Sequence, residues 1–146
     1  MNALEKIVDL LAAITVMFLV PLLYYGSGKC VSQAMLSGQA GENFLARIST
    51  AGEITLPVLE ELEHALLSCG CSRFDVQRQR RLFEPATVEG DVIERIYTEE
   101  KEKMLERIHR EGRLRLQKGD LVRLIVYVND IPTMYSGCIR TGAAEE

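Results

Sequence analysis

The residue types able to do chemistry are few and poorly grouped. Cys69-Gly70-Cys71 sets two thiols one residue apart, and His64 stands five residues upstream among Glu60, Glu61 and Glu63. A soft metal would take four such ligands at spacings like Cys-x-x-Cys or His-x-x-x-His. Three nearby ligands at neither spacing do not make that site. His109 lies beside Glu106 and Arg110 in a densely charged stretch, where a solvated helix face accounts for it. No Gly-x-Gly-x-x-Gly, P-loop or Gly-x-Ser-x-Gly motif occurs. The sequence therefore predicts no catalytic set, no metal centre and no cofactor, and the chain does not read as an enzyme.

The cysteines have a second use. Cys30, Cys69, Cys71 and Cys138 are even in number, and four cysteines allow three connectivities. A Cys69–Cys71 ring would be unusually tight, so disulfides would join each of these to Cys30 or Cys138. Each bridge would close a long loop and add about 3–5 kcal/mol in the chain-entropy account. The alternative is four reduced thiols in a cytoplasmic domain.

Glu5 and Asp9 complete the candidates. They stand four residues apart at the head of residues 7–25, IVDLLAAITVMFLVPLLYY, in which Asp9 is the one charged side chain. At 1.5 Å per residue those 19 residues span about 28 Å, close to the hydrocarbon thickness of a bilayer. A cleaved signal peptide would have a basic start and a small-x-small cut site. Here the start is mixed and two tyrosines precede Gly26. An interfacial helix would need a charged face, and a soluble core helix a polar one; residues 10–23 have neither, with Thr15 the one polar side chain. The segment reads as a single membrane helix, with Tyr24 and Tyr25 at headgroup level and Pro21 one turn from that end. Lys6 before it and Lys29 after it leave almost no charge bias. The short head and apolar helix read as a signal anchor that carries the following chain across, placing the C-terminal domain outside the cytoplasm.

The remaining chain is long enough for one compact domain. The net charge of −4 argues against nucleic acid as a partner, since phosphate binding needs a basic surface. The one basic run, Arg78-Gln79-Arg80-Arg81, reads as a solvated face or strand edge. Gly26-Ser27-Gly28 predicts a break in the helix, followed by a weak helical stem to residue 49 that Gly38 and Gly41 interrupt. Leu56, Leu59, Leu62 and Leu66 predict a helix from an N-cap at Thr55 to Ser68, stopped by Gly70. Residues 73–82 alternate as a strand. Val92, Ile93, Ile96, Tyr97, Met104, Leu105 and Ile108 predict the longest soluble helix, from Asp91 to Glu111 with Gly112 as C-cap. Residues 113–117 then read as a strand, Lys118-Gly119-Asp120 as a hairpin turn and residues 121–128 as a central strand ended by Asn129-Asp130 and Pro132. Residues 138–140 add a short strand. The divisions are 1–28, membrane anchor; 29–52, stem; 53–140, an α+β domain of helices packed on a small antiparallel sheet; and 141–146, a loose tail.

A short head containing Glu5, an apolar helix with proline at position 21, a stem, then helix and antiparallel sheet: this layout resembles the type IV pilins and pseudopilins of pili and type II secretion-like machines. The resemblance covers the architecture of most of the chain and the residues Glu5 and Pro21. It implies that the first helix anchors the subunit in the membrane and forms a filament core after assembly. It further implies that Glu5, at the family's fifth mature position, pairs with a neighbour's amino terminus and that Pro21 lies near the helix kink. Asp9, more charge than a typical pilin head carries, joins them as an assembly candidate because it stands four residues from Glu5 on one helical face. The expected role is a structural or minor subunit of a pilus, secretion or conjugation apparatus, oligomeric with like or other envelope subunits. The alternative is a single-pass adaptor or sensor whose outer domain binds a ligand or protein.

Overall fold

The structure is a computed structural model that describes residues 3–85 and 92–142. Helix α1, Ala3–Ala51, has 49 residues and is about 74 Å long. The break predicted at Gly26-Ser27-Gly28 is absent. Glycine costs a helix only about 1 kcal/mol relative to alanine, and Ser27 Oγ folds back to donate to the Leu23 carbonyl at 2.9 Å. Anchor and stem are thus parts of one continuous helix.

After Gly52 come β1 (Glu53–Thr55) and α2 (Leu56–Ser68). The leucine spacing is borne out, since Leu59, Leu62 and Leu66 are buried. Thr55 occupies the N-cap position with extended backbone, without a side-chain cap bond. Strand β2, Cys71–Pro85, is longer than predicted and pairs antiparallel with β3, Val92–Glu99.

Strand β3 corrects the sequence reading. Asp91 lies outside the described residues, and 92–99 is extended rather than helical. Val92, Ile93, Ile96 and Tyr97 suit a strand as well as a helix face, and the register from Pro85↔Val92 to Arg78↔Glu99 decides between them. Only α3, Lys101–Glu111, is helical; it buries Met104 and Ile108. Gly112 caps it at φ 77°, a left-handed conformation that favours glycine, and donates to the Ile108 carbonyl at 2.7 Å.

The predicted hairpin at residues 118–120 is also corrected. Strand β4, Arg113–Arg115, pairs with β1 rather than with β5, Leu121–Val128, so the turn links two separate sheets. Asn129 and Asp130, at φ 51° and 61°, form the tight turn of a true hairpin to β6, Ile131–Cys138. Pro132 and Cys138 lie within that strand, with Ile139 after it. The strand is at the sheet edge, where a missing N–H costs no ladder bond.

The main sheet runs β3-β2-β5-β6, all antiparallel, so β5 is interior. Val122, Leu124, Val126 and Val128 are buried on one face beneath the helices, and the alternate residues are half-buried on the other. The arrangement is α+β, with a small antiparallel sheet domain on the end of a long apolar helix. The predicted tail begins at Thr141, whose Oγ1 donates to the Thr50 carbonyl at 2.7 Å; residues 143–146 lie outside the described residues.

Candidate functional site

The surface best suited to meet something else is the first part of α1. Every residue from 3 to 32 is exposed, including Leu10, Val16, Phe18, Leu22 and Tyr25. A soluble domain does not leave so large a contiguous apolar area uncovered. The segment is long and apolar enough to cross a membrane. Its hydroxyls are suited to apolar surroundings: Thr15 Oγ1 donates to the Leu11 carbonyl at 2.8 Å, as Ser27 does to Leu23. Glu5 and Asp9 stand exposed one turn apart near the start of this surface. Pro21 lies inside the helix, where it leaves the Met17 carbonyl without its ladder donor.

Packing against the domain is built from small residues. Ser37 and Gly41 are buried, then Phe44, Leu45 and Ile48. A Cβ on Gly41 would stand 3.0 Å from Leu124 and 3.3 Å from Tyr135; one on Gly38 would stand 3.2 Å from the Tyr135 hydroxyl. These glycines, weak in helix propensity, let the helix approach the sheet closely. Gly137 lies against Leu45 in the same way, and Ser49 Oγ donates to the Cys138 carbonyl at 2.9 Å. Strand β6 therefore runs alongside α1 in the same direction.

At the other side of the sheet β2 and β3 outrun their neighbour. Strand β5 pairs with β2 only as far as Gln79↔Leu121, while β2 and β3 pair on to Pro85↔Val92. The six further residues make a two-stranded ribbon projecting about 20 Å. It exposes Leu82, Phe83, Ile93, Ile96 and Tyr97.

At its root lies an ionic cluster that the sequence reading missed. Arg78, read there as solvated, is buried, and so are Glu99 and Asp120. Arg78 donates to Asp120 at 2.8 Å and to Glu99 at 3.1 Å. Arg80 binds Asp120 through both oxygens at 3.0 and 3.1 Å, and Arg107 reaches Glu99 at 3.2 Å. The Gln117 amide also donates to Asp120 at 2.9 Å. This cluster fastens β2, the β3–α3 junction and the turn before β5 together.

The disulfide expectation is corrected. All four cysteines are free thiols. Cys30 is exposed on α1 and Cys138 is exposed at the end of β6, where it meets Ser49 rather than Cys30. Cys71 is buried at the start of β2, its thiol donating to the Arg73 carbonyl at 3.0 Å. The fold holds these positions on different elements, out of bridging distance. His64 and His109 are exposed, the latter with Nδ1 2.8 Å from its own helix's Leu105 carbonyl. Among the described residues no three His, Cys, Asp or Glu gather as a metal site. No family model, curated protein or solved structure matches the chain.

Proposed function

We propose that this chain is a membrane-anchored, pilin-like structural or minor subunit of a pilus, secretion or conjugation apparatus. One observation carries the reading. A single continuous helix is exposed from residue 3 to 32, apolar over 10–25 apart from Thr15, and then enters the core of an α+β domain at Ser37. Such a helix can serve as a bilayer anchor and, side by side with its copies, as the core of an assembly. In this reading residues 7–25 cross the membrane and the domain lies on the extracytoplasmic side, as a short head with an apolar signal anchor would carry it.

Glu5 and Asp9 then act in assembly. Carboxylates at the edge of an apolar span are costly unless paired, and a neighbour's amino terminus or Lys6 is the pairing group. The outer ribbon, with Leu82, Phe83, Ile96 and Tyr97 exposed, offers a second contact with a neighbouring subunit.

The test uses the full chain in cell membranes. It is expected to resist carbonate extraction and to be released by detergent. Glu5→Ala with Asp9→Ala is expected to abolish crosslinked multimers while leaving insertion intact. Multimers unchanged in the double variant would leave a simple anchored domain, and extraction by carbonate would remove the anchor itself.

The ribbon also favours a second reading, a single-pass adaptor whose domain binds another envelope protein. Removal of the ribbon's apolar side chains would then abolish capture of that protein while leaving self-crosslinking unchanged.

A further inference from the structure

The end of the domain nearest the apolar span is closer to it than a flexible tether would leave it. Asn129 Nδ2 lies 3.5 Å from Cys30 Sγ, so the β5–β6 turn touches α1 five residues beyond Tyr25. Five residues of helix rise about 7.5 Å. The polar layer of a bilayer, between the hydrocarbon edge and the outer limit of the headgroups, is about 5–8 Å on each side. With residues 7–25 across the membrane, the turn reaches the headgroups.

The α2–β2 turn supports the same placement. The Gln33 side chain lies against Gly70, close enough that a Cβ there would stand 2.6 Å from its Nε2. Two turns of the domain thus meet α1 within one helical turn of each other, and together they define its base. The base is suited to lipid. Ile131, immediately after the turn, is 66% exposed. It pairs with the buried Val128, so it shares the sheet face that α1 covers and stands beside the helix. Lys29 is exposed next to Cys30. Exposed Arg73, near the same end of the sheet, stacks over Tyr127 at 4.1 Å, a cation on an aromatic ring as interfacial sites favour. Asp130 is the acidic group at the turn, opposite in charge to the ammonium groups of a zwitterionic lipid.

We propose that the Asn129-Asp130 turn and Ile131 rest in the lipid headgroup layer, giving the domain a second membrane contact besides α1. This inference rests on the anchor reading above. It makes the domain a body seated on the bilayer, and before any assembly its orientation is fixed by helix and turn together.

The chain contains no tryptophan, so single tryptophans report depth without background. The probe is the full chain reconstituted in phosphatidylcholine vesicles, with or without lipid brominated on the upper acyl chain. Phe18→Trp tests the anchor, Ile131→Trp the turn, and Phe83→Trp the outer ribbon. All three sites are exposed and accept the larger ring. The expected result is strong quenching at position 18, partial quenching with a shift to shorter wavelength at 131, and neither at 83. Quenching at 18 with position 131 as silent as 83 overturns the headgroup contact and leaves the anchor standing. Equal quenching at 131 and 83 overturns it too, because the domain would then lie flat. Silence at position 18 defeats the anchor reading, and the headgroup contact falls with it.

Discussion

Arg78 and Asp120, 42 residues apart in the chain, meet as a buried ion pair with Nε 2.8 Å from Oδ2. The side chains retain 4% and 2% of their exposure. Asp120 accepts in addition from Arg80 and the Gln117 amide. Removing Asp120 leaves Arg78 with Glu99 alone and takes the shared carboxylate from Arg80 and the Gln117 backbone N–H.

Asp120→Ala is accordingly expected to destabilise the domain by about 3–5 kcal/mol, the usual cost of breaking a buried pair from one side. Chemical unfolding of the full chain in detergent micelles, followed by circular dichroism, measures it. Arg81→Ala, whose partner Glu94 is solvent-exposed at 3.4 Å, should cost no more than about 1 kcal/mol.

The glycines of α1 divide by what faces them. Gly41→Ala puts a methyl group 3.0 Å from Leu124 and should destabilise by about 1–3 kcal/mol through overpacking. Gly26→Ala meets nothing within 4 Å and should leave thermal stability of the domain unchanged or raise helix content slightly. A lowered melting temperature for Gly41→Ala beside an unchanged one for Gly26→Ala, read from paired melting curves, is the expected outcome.

Thiol accessibility should follow burial. In native protein a maleimide is expected to label Cys30 and Cys138 rapidly and Cys71 only on unfolding. Labelling in denaturant without reductant should reach all four cysteines. Peptide mapping with timed quenching checks both statements, and a bridge between any pair would contradict them.

The β5–β6 turn holds two non-glycine residues in the left-handed region, Asn129 and Asp130. Asp130→Gly fits the Asn-Gly preference of such turns and should stabilise by a few tenths to about 1 kcal/mol. Asn129→Val should destabilise, because a β-branched side chain tolerates positive φ poorly. Thermal melts of the two variants decide this pair.

Much of the fold was legible where periodicity and local stops agree. Leu59, Leu62 and Leu66 recur at helical spacing, and no competing pattern overlies them. Residues 121–128 read as an interior strand because Arg123 alone interrupts a run of apolar, mostly β-branched and aliphatic residues. Residues 92–99 misled because Val92, Ile93, Ile96 and Tyr97 recur at helical spacing although their β-branched and aromatic types also favour strands, and no glycine or proline separates them from the true helix at Lys101. What makes them a strand is β2, which a local pattern does not contain. Pro132 read as a stop because the sequence does not say that β6 is an edge. The exposed head of α1, with Glu5, Asp9 and Pro21, was legible from composition alone. The buried cluster was not: Arg78 in a basic run looks solvated, and its acidic partners lie 21 and 42 residues away.

The continuity of α1 past Gly26-Ser27-Gly28 has a mechanical consequence. With no joint at those glycines, the helix passes from its exposed part into the segment buried against the sheet as one rod, so that beyond Pro21 tilting as well as pulling is handed directly to the domain. There it meets β6, which lies alongside and points the same way, from Tyr135 at Gly38 to Cys138 at Ser49. The load is borne as shear along the length of that contact, so the close-packed glycines and Leu45 yield together or not at all.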